Sequence, residues 1–224
     1  MSIGAKAALL EEYALIARAL SAPARLTLLE HLAQGERGVD ALSDKTGLSI
    51  ANCSQHLQQL RRAGLVTSRR EGKAVVYRMT DTRTLTLMDL LRRVAVSNLN
   101  RVDSILRSLS EGQDMPEPLS REDLALRMAE GAVTVLDIRP RDEFDMGHIP
   151  SARQVTLADL DRIIPDLEPA AEVVAYCRGP YCIYAHQAVA ALRRKGLNAR
   201  QMEGGLPEWR AEGRPVLSDP KGRV

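Results

Sequence analysis

Apolar positions in the first half of the chain recur with a helical period. A helix is predicted from about Ala5 to Leu20, followed by Ser21-Ala22-Pro23, where Ser21 can cap the next helix and proline is tolerated in a first turn. That second helix carries Leu26, Leu29 and Leu32 on one stripe, with Gly35 near its end. A short helix around Val39–Thr46 stops at Gly47, and another runs from about Ile50 to Ala63 before Gly64. Leu65–Arg70 and Ala74–Thr80 read as two strands joined by Glu71-Gly72-Lys73, a hairpin. A long helix over about Thr82–Leu109 carries Leu87, Leu91, Val94, Val102, Ile105 and Leu109. At about 1.5 Å per residue it would reach roughly 40 Å. So small a domain cannot cover that length, and packing against a partner chain is expected.

Ser110–Leu119 holds Gly112, Pro116 and Pro118 with three acids, the composition of a linker. Beyond it, short apolar runs alternate with helical segments. Val133–Leu136, Val173–Tyr176 and Ala199–Met202 are predicted strands, with helices at 120–130, 157–163 and 183–195. Ser120-x-x-Asp123 and Thr156-x-x-Asp159 resemble capping boxes, with Asp in place of the usual Glu or Gln. Strands alternating with helices imply a mostly parallel sheet. The expected organisation is a mainly α domain over 1–110, a linker over 111–119 and an α/β domain over 120–224.

Composition sharpens this division. The 224 residues are 45% hydrophobic and 27% charged, ordinary for a globular protein, and the 3% aromatic share leaves a core of Leu, Val, Ile and Ala. The net charge of +2 conceals a split: residues 1–110 hold 16 basic and 10 acidic side chains, residues 111–224 hold 15 and 19. Only the first half suits a polyanion. No apolar stretch approaches the roughly 18 residues of a membrane span, and the early Glu11-Glu12 does not fit a secretory signal. Three cysteines without an export signal are expected to be free thiols in a reducing compartment, the cytoplasm.

Asp40–Ser49 followed by Ile50–Leu57 is a helix, a glycine turn and a second helix, with Leu42, Leu48, Leu57 and Leu60 expected inward. Asn52, Ser54, Gln55 and His56 are expected outward, as short polar groups able to reach base edges and phosphates. Six basic residues against the single acid Glu71 occur from Arg61 to Arg78; Arg61 lies near the end of the second helix, and Arg69, Arg70 and Lys73 cluster on the hairpin. Periodicity alone suits a solvated helical bundle equally well. The order helix-turn-helix-hairpin, with positive charge on the last two elements, favours double-stranded DNA.

Residues from about 10 to 105 resemble the winged-helix repressors of the ArsR family. The resemblance is carried by Leu20-Ser21-Ala22-Pro23-Ala24-Arg25-Leu26, Ser54-Gln55-His56-Leu57-Gln58-Gln59-Leu60, Ala63-Gly64-Leu65-Val66 and the wing Arg70–Tyr77. It implies a homodimer, joined through its first and last helices, on a two-fold operator. The family's inducer sites do not carry over. Its arsenic-binding cysteine pair would fall near Val39–Leu42, where no cysteine stands, and Thr82–Leu109 has no histidine for a metal site. No metal or cofactor is expected. Cys53 reads as small apolar filler rather than a sensor.

Val173-Val174-Ala175-Tyr176 is a buried-type strand that delivers Cys177 to its C-terminal end, where open α/β sheets place their ligands. Arg178, Gly179, Pro180, Tyr181 and Cys182 then lead into a helix near Ile183. Backbone N–H groups and the positive end of a helix would stabilise a thiolate or the outer sulfur of a persulfide in such a turn, and Arg178 adds a charge for an oxyanion. Residues from about 118 to 215 resemble a single rhodanese domain. The matching segments are Val135–Phe144, Gly147-His148-Ile149-Pro150-Ser151-Ala152 and Glu203-Gly204-Gly205-Leu206-Pro207-Glu208-Trp209. This resemblance implies sulfur transfer from thiosulfate, polysulfide or another sulfane donor, with Cys177 as carrier. Asp137, Arg139 and His148 are read as structural braces rather than catalysts.

The loop departs from the common rhodanese pattern of Cys, Arg, any residue, Gly, any residue, Arg: glycine comes one place early and Cys182 replaces the last arginine. Losing that charge should weaken handling of a charged donor. Two roles are open for Cys182: attack on a Cys177 persulfide with release of sulfide, or packing in the first turn of the helix. The leading expectation is a transcriptional regulator, acting as a repressor, whose operator binding responds to sulfur chemistry at Cys177. Two alternatives remain: a sulfurtransferase positioned by its DNA-binding half, and a regulator whose rhodanese module is catalytically idle.

Overall fold

The computed structural model describes residues 3–110, 114–167, 171–179 and 181–218. Pro180, residues 111–113 of the expected linker and residues 219–224 lie outside them. The chain forms two compact units, Met1–Thr86 and Leu87–Val224.

The first unit contains α1 (Ile3–Leu20), α2 (Pro23–Gln34), β1 (Arg37–Gly38), α3 (Val39–Thr46), α4 (Ile50–Arg62), β2 (Val66–Glu71) and β3 (Ala74–Met79). Its antiparallel sheet has the order β1-β3-β2. Leu28, Leu29, Leu42, Cys53, Leu57 and Leu60 are fully buried, so the apolar stripes of α2, α3 and α4 converge on one core. Between α3 and α4, Gly47 takes φ +70° and returns its N–H to Ser43 O, an αL stop open to glycine. The Ser43 hydroxyl donates to Leu48 O at 2.6 Å, and the Ser49 hydroxyl accepts from Asn52 N at 3.3 Å. Both ends of the turn are thus closed by side chains.

Ser21 does not cap α2. Its hydroxyl donates backward to Arg18 O at 2.8 Å, while Ala22 takes the N-cap position and Pro23 opens the helix. The Arg25 side chain explains the motif around it. Buried, it donates to Ala19 O and Arg18 O and to the Gln59 side chain, each at 2.6 Å, tying the end of α1 to α4.

The expected long helix is two helices, α5 (Arg83–Asn98) and α6 (Asn100–Leu109). Leu99 between them is extended, with φ −114° and ψ 97°. Ser97, Asn98 and Asn100 are poor helix formers whose side chains compete for backbone groups. Asn98 Nδ2 accordingly donates to Val94 O at 2.8 Å.

The second unit continues with α7 (Arg121–Ala129), β4 (Val133–Asp137), α8 (Arg141–Met146), β5 (Arg153–Gln154), α9 (Leu160–Ile163), β6 (Glu172–Tyr176), α10 (Tyr184–Arg194), β7 (Ala199–Gln201) and α11 (Leu206–Ala211). Its sheet has the order β5-β4-β6-β7 and every pairing is parallel. Each residue of β6 is buried, and alternate side chains feed opposite faces. Val173 and Ala175 pack with Leu160, Ala188, Val189 and Leu192, whereas Val174 and Tyr176 pack with Leu124, Met202, Leu206 and Trp209. Ser120 caps α7 by accepting from Asp123 N at 3.0 Å. Thr156 instead donates to the Asp159 carboxylate and makes no backbone cap.

Candidate functional site: the cysteine loop and the recognition surface

Cys177 follows β6 directly, at the carboxyl end of the sheet. Its carbonyl accepts from Leu206 N at 3.3 Å, pinning the loop to the start of α11. A Cβ on Gly205 would lie 2.6 Å from Cys177 O and closer still to the Gly179 nitrogen, so only glycine lets the two backbones meet. Gly179 itself has φ +148°, a conformation that disfavours a side chain. Cys182 N donates back to Gly179 O at 3.1 Å and closes the turn.

Cys177 and Cys182 are joined by a disulfide, with Cα atoms 6.2 Å apart. Free thiols were the expectation for all three cysteines; it holds for Cys53 alone. The disulfide brings the Cys182 sulfur onto Cys177, and both side chains pack with Ala185. Among the two, Cys177 is the more enclosed, 2% exposed against 9% for Cys182.

Arg178 is not left as an unbalanced charge facing the loop. Its Nε donates to both carboxylate oxygens of the fully buried Glu143, at 3.1 and 2.8 Å. The Glu143–Arg178 pair was invisible in the sequence because the partners stand 35 positions apart. Tyr181, the next described residue of the loop after Gly179, donates its hydroxyl to Met88 O at 2.8 Å.

Asp137, Arg139 and His148 brace the fold behind the loop. Asp137 and Arg139 form a fully buried ion pair, and Arg139 also donates to Gly147 O at 2.7 Å. Tyr176 donates to Asp137 at 2.6 Å and accepts from Ile149 N at 3.1 Å; burial holds its phenol well above the ordinary value. His148 stacks on Phe144 with ring centroids 3.8 Å apart, and its Nδ1 lies 3.1 Å from Phe144 O. Sequence reasoning passed over Glu208. One of its carboxylate oxygens accepts from Gly205 N at 2.8 Å, the other is buried without a hydrogen-bond partner, and burial raises its pKa.

On the first unit, Asn52 and Gln55 of α4 are exposed, while Ser54 and His56 are half-buried. Arg61 is exposed and donates to Ser68 at 3.3 Å. Arg70 and Lys73 are exposed on the hairpin, but Arg69 is balanced by Glu36 at 2.6 Å and Glu71 at 2.8 Å. Cys53 is fully buried on the inner face of α4, and burial raises its thiol pKa, which suits packing rather than reactivity.

Comparison with known proteins decides the family. The model of the bacterial regulatory protein, arsR family, matches residues 22–68, and that of the rhodanese-like domain matches residues 120–212. The HTH-type transcriptional regulator Rv0324 of Mycobacterium tuberculosis is 37% identical over 211 residues, covering 94% of this chain and 92% of that protein. The chain belongs to the ArsR family. It is a DNA-binding transcriptional regulator with a C-terminal rhodanese-like domain. Among solved structures, the homodimeric winged helix-turn-helix DNA-binding domain Mb0332 of Mycobacterium bovis is 40% identical, spans 45% of this chain and 93% of its own, and gives a TM-score of 0.41. A rhodanese-related protein from Thermoplasma volcanium is 28% identical, spans 46% and 98%, and also gives 0.41. Among the described residues of this ArsR-family regulator, no three His, Cys, Asp or Glu side chains are grouped to hold a metal ion. No described helix is long and apolar enough to cross a membrane.

Proposed function

We propose that this regulator reads sulfane sulfur through Cys177 and changes its affinity for operator DNA in response. The observation that carries the reading is the bond between Cys177 and Cys182 at the end of the central strand. In the cycle it supports, the Cys177 thiolate attacks the outer sulfur of thiosulfate or a polysulfide and becomes a persulfide. With thiosulfate, sulfite leaves. The Cys182 thiolate then attacks the inner sulfur of that persulfide, the S–S bond to the outer sulfur breaks, and hydrosulfide leaves. The protein dithiol is oxidised to the disulfide and the sulfane atom is reduced to sulfide, so electrons balance.

The enclosure of Cys177 and the pairing of Arg178 with Glu143 support a signal rather than rapid turnover of a charged donor. Loop and helix α5 are joined through Tyr181 and Met88, which gives sulfur chemistry a physical route toward the DNA-reading half of the chain. Asn52, Ser54, Gln55 and His56 would face the major groove, with Arg61, Arg69, Arg70 and Lys73 on the phosphates. The working form is a homodimer. Leu9, Leu10, Tyr13 and Ile16 of α1 and Leu90, Leu91 and Val94 of α5 are exposed, large apolar side chains on the helices that the family resemblance places at the dimer contact.

Gel-shift titration of full-length protein, reduced, treated with thiosulfate or polysulfide, and as Cys177→Ser, tests the reading. A shift in operator affinity within the range of about 5–150-fold typical of allosteric coupling is expected for wild type and none for Cys177→Ser. Intact mass should show one added sulfur persisting in Cys182→Ser and passing to disulfide in wild type. Equal affinity in all forms would sink the proposal.

A further inference from the structure

We infer that a cavity beside Cys182 admits a small organic thiol bearing a carboxylate, which reopens the Cys177–Cys182 disulfide by attacking the Cys182 sulfur. The inference deepens the sulfur-cycling reading above and rests on it: a pair that closes when sulfide leaves needs a reductant before it can read sulfur again.

The cavity has a volume of about 340 Å³ and lies within the second unit. Cys182 lines it together with Val96, Val102, Met202, Arg92 and Glu203. Cys177 is not among the lining residues and is enclosed by the end of β6 and the Gly205–Leu206 backbone. Thiol–disulfide exchange depends on which sulfur the incoming thiolate can reach. Of the two cysteines, only Cys182 borders this cavity, and it is the more exposed.

Size and lining name the ligand class. The volume sits at the small end of ligand pockets, roughly 300–1,000 Å³, and fits a molecule of amino-acid size. Valine and methionine side chains suit a short methylene stem. Arg92 bonds Asp89 through Nε at 3.3 Å and Nη2 at 3.0 Å, which leaves Nη1 for a ligand carboxylate. Glu203 on the same cavity is suited to an ammonium group, although Arg93 shares its charge at 2.7 Å. A thiol carrying both groups matches this pattern best.

Attack forms a bond between the incoming sulfur and Cys182 and breaks the Cys177–Cys182 bond, with Cys177 leaving as thiolate. A second thiol then attacks the ligand's sulfur in the mixed disulfide, releasing a symmetrical organic disulfide and the Cys182 thiolate. Two thiols are oxidised and the protein disulfide gains both electrons, which returns Cys177 to its sulfur-accepting form.

The test uses oxidised full-length protein, free cysteine and cysteamine, which lacks the carboxylate. Reopening is followed by alkylation and intact mass. Cysteine should act about tenfold faster, as expected for one charge-assisted hydrogen bond. Arg92→Ala should remove that advantage, and Val102→Phe, which fills the cavity, should slow both thiols. Cystine should form a mixed disulfide on Cys182 in Cys177→Ser much faster than on Cys177 in Cys182→Ser. Equal rates for the two thiols in wild type, or faster capture at Cys177, would overturn the inference. The cystine arm needs no sulfane donor. Failure of Cys177 to take up sulfur from polysulfide in parallel would count against the cycle and leave the port standing or falling on its own rates.

Discussion

The Tyr181 hydroxyl donates to the Met88 carbonyl at 2.8 Å, so the loop that carries the disulfide-bonded Cys177 and Cys182 is hydrogen-bonded to helix α5. Met88 is itself buried, which makes its carbonyl a fixed point rather than a frayed helix end. The bond joins a residue next to Cys182 to the helix that follows β3 in the chain. Tyr181→Phe deletes only the hydroxyl. It should bring the ratio of operator affinities in the dithiol and disulfide forms close to one, from a wild-type ratio in the range of about 5–150-fold. Sulfur uptake at Cys177, read by intact mass, should persist. Fluorescence anisotropy with labelled operator measures the ratio, and an unchanged ratio would remove Tyr181 from the route.

Specificity and general affinity should separate on the DNA-reading half. Gln55 is exposed on α4, whereas Lys73 is exposed on the hairpin. Gln55→Ala should weaken operator binding by about 1–3 kcal/mol and relax preference at one base position. Lys73→Ala should weaken operator and random duplex alike, and reduce the slope of log affinity against log salt by about one. Arg69→Ala should do less than Lys73→Ala, because Glu36 and Glu71 already balance Arg69. Salt-series anisotropy distinguishes these outcomes.

The Asp137–Arg139 pair has no exposed surface and supports both Tyr176 and the Gly147 carbonyl. Arg139→Ala would strand a buried carboxylate and should destabilise the rhodanese-like domain by about 3–5 kcal/mol. Trp209, the only tryptophan and itself buried, reports this unfolding in urea. A loss below about 1 kcal/mol would mean that the pair braces nothing.

Glu208 should make the same domain sensitive to pH. Burial raises its carboxyl above the ordinary 4.5; backbone hydrogen bonds, Gly205 N–H among them, and then the Arg121 charge pull the pKa back down, and Asp89 pushes it up. The folded chain therefore holds a proton that the unfolded chain releases at lower pH. The stability contributed by this group is complete below the unfolded value and is lost as pH rises through the raised one. Glu208→Gln should flatten the decline in Trp209-monitored stability as pH rises above the ordinary carboxylate value. Parallel pH profiles for the two proteins would assign the decline to another group.

Local chemistry made much of the fold legible beforehand. Gly47 and the spacing of Leu42, Leu57 and Leu60 marked the helix-turn-helix, and the continuous apolar run Val173–Tyr176 marked the central strand. Short elements escaped: β1 and β5 have two residues each, and α8 and α11 have six, too few for a period to register. The break at Leu99 was missed for the opposite reason, since apolar spacing continues across it while the backbone does not.

The sequence by itself determined the two-part plan: a basic helical half, an acidic half of alternating strands and helices, and a cysteine delivered at a strand end. These follow from periodicity, charge and turn residues, all of which act over a few positions. The tertiary structure alone decided what surrounds Cys177. It bound Cys177 to Cys182, drew Arg178 onto Glu143, hid the free carboxylate oxygen of Glu208 and hydrogen-bonded Tyr181 to Met88. Apart from the disulfide, which spans five positions, those contacts join residues far apart in the chain, and all of them depend on side-chain packing that no local pattern encodes.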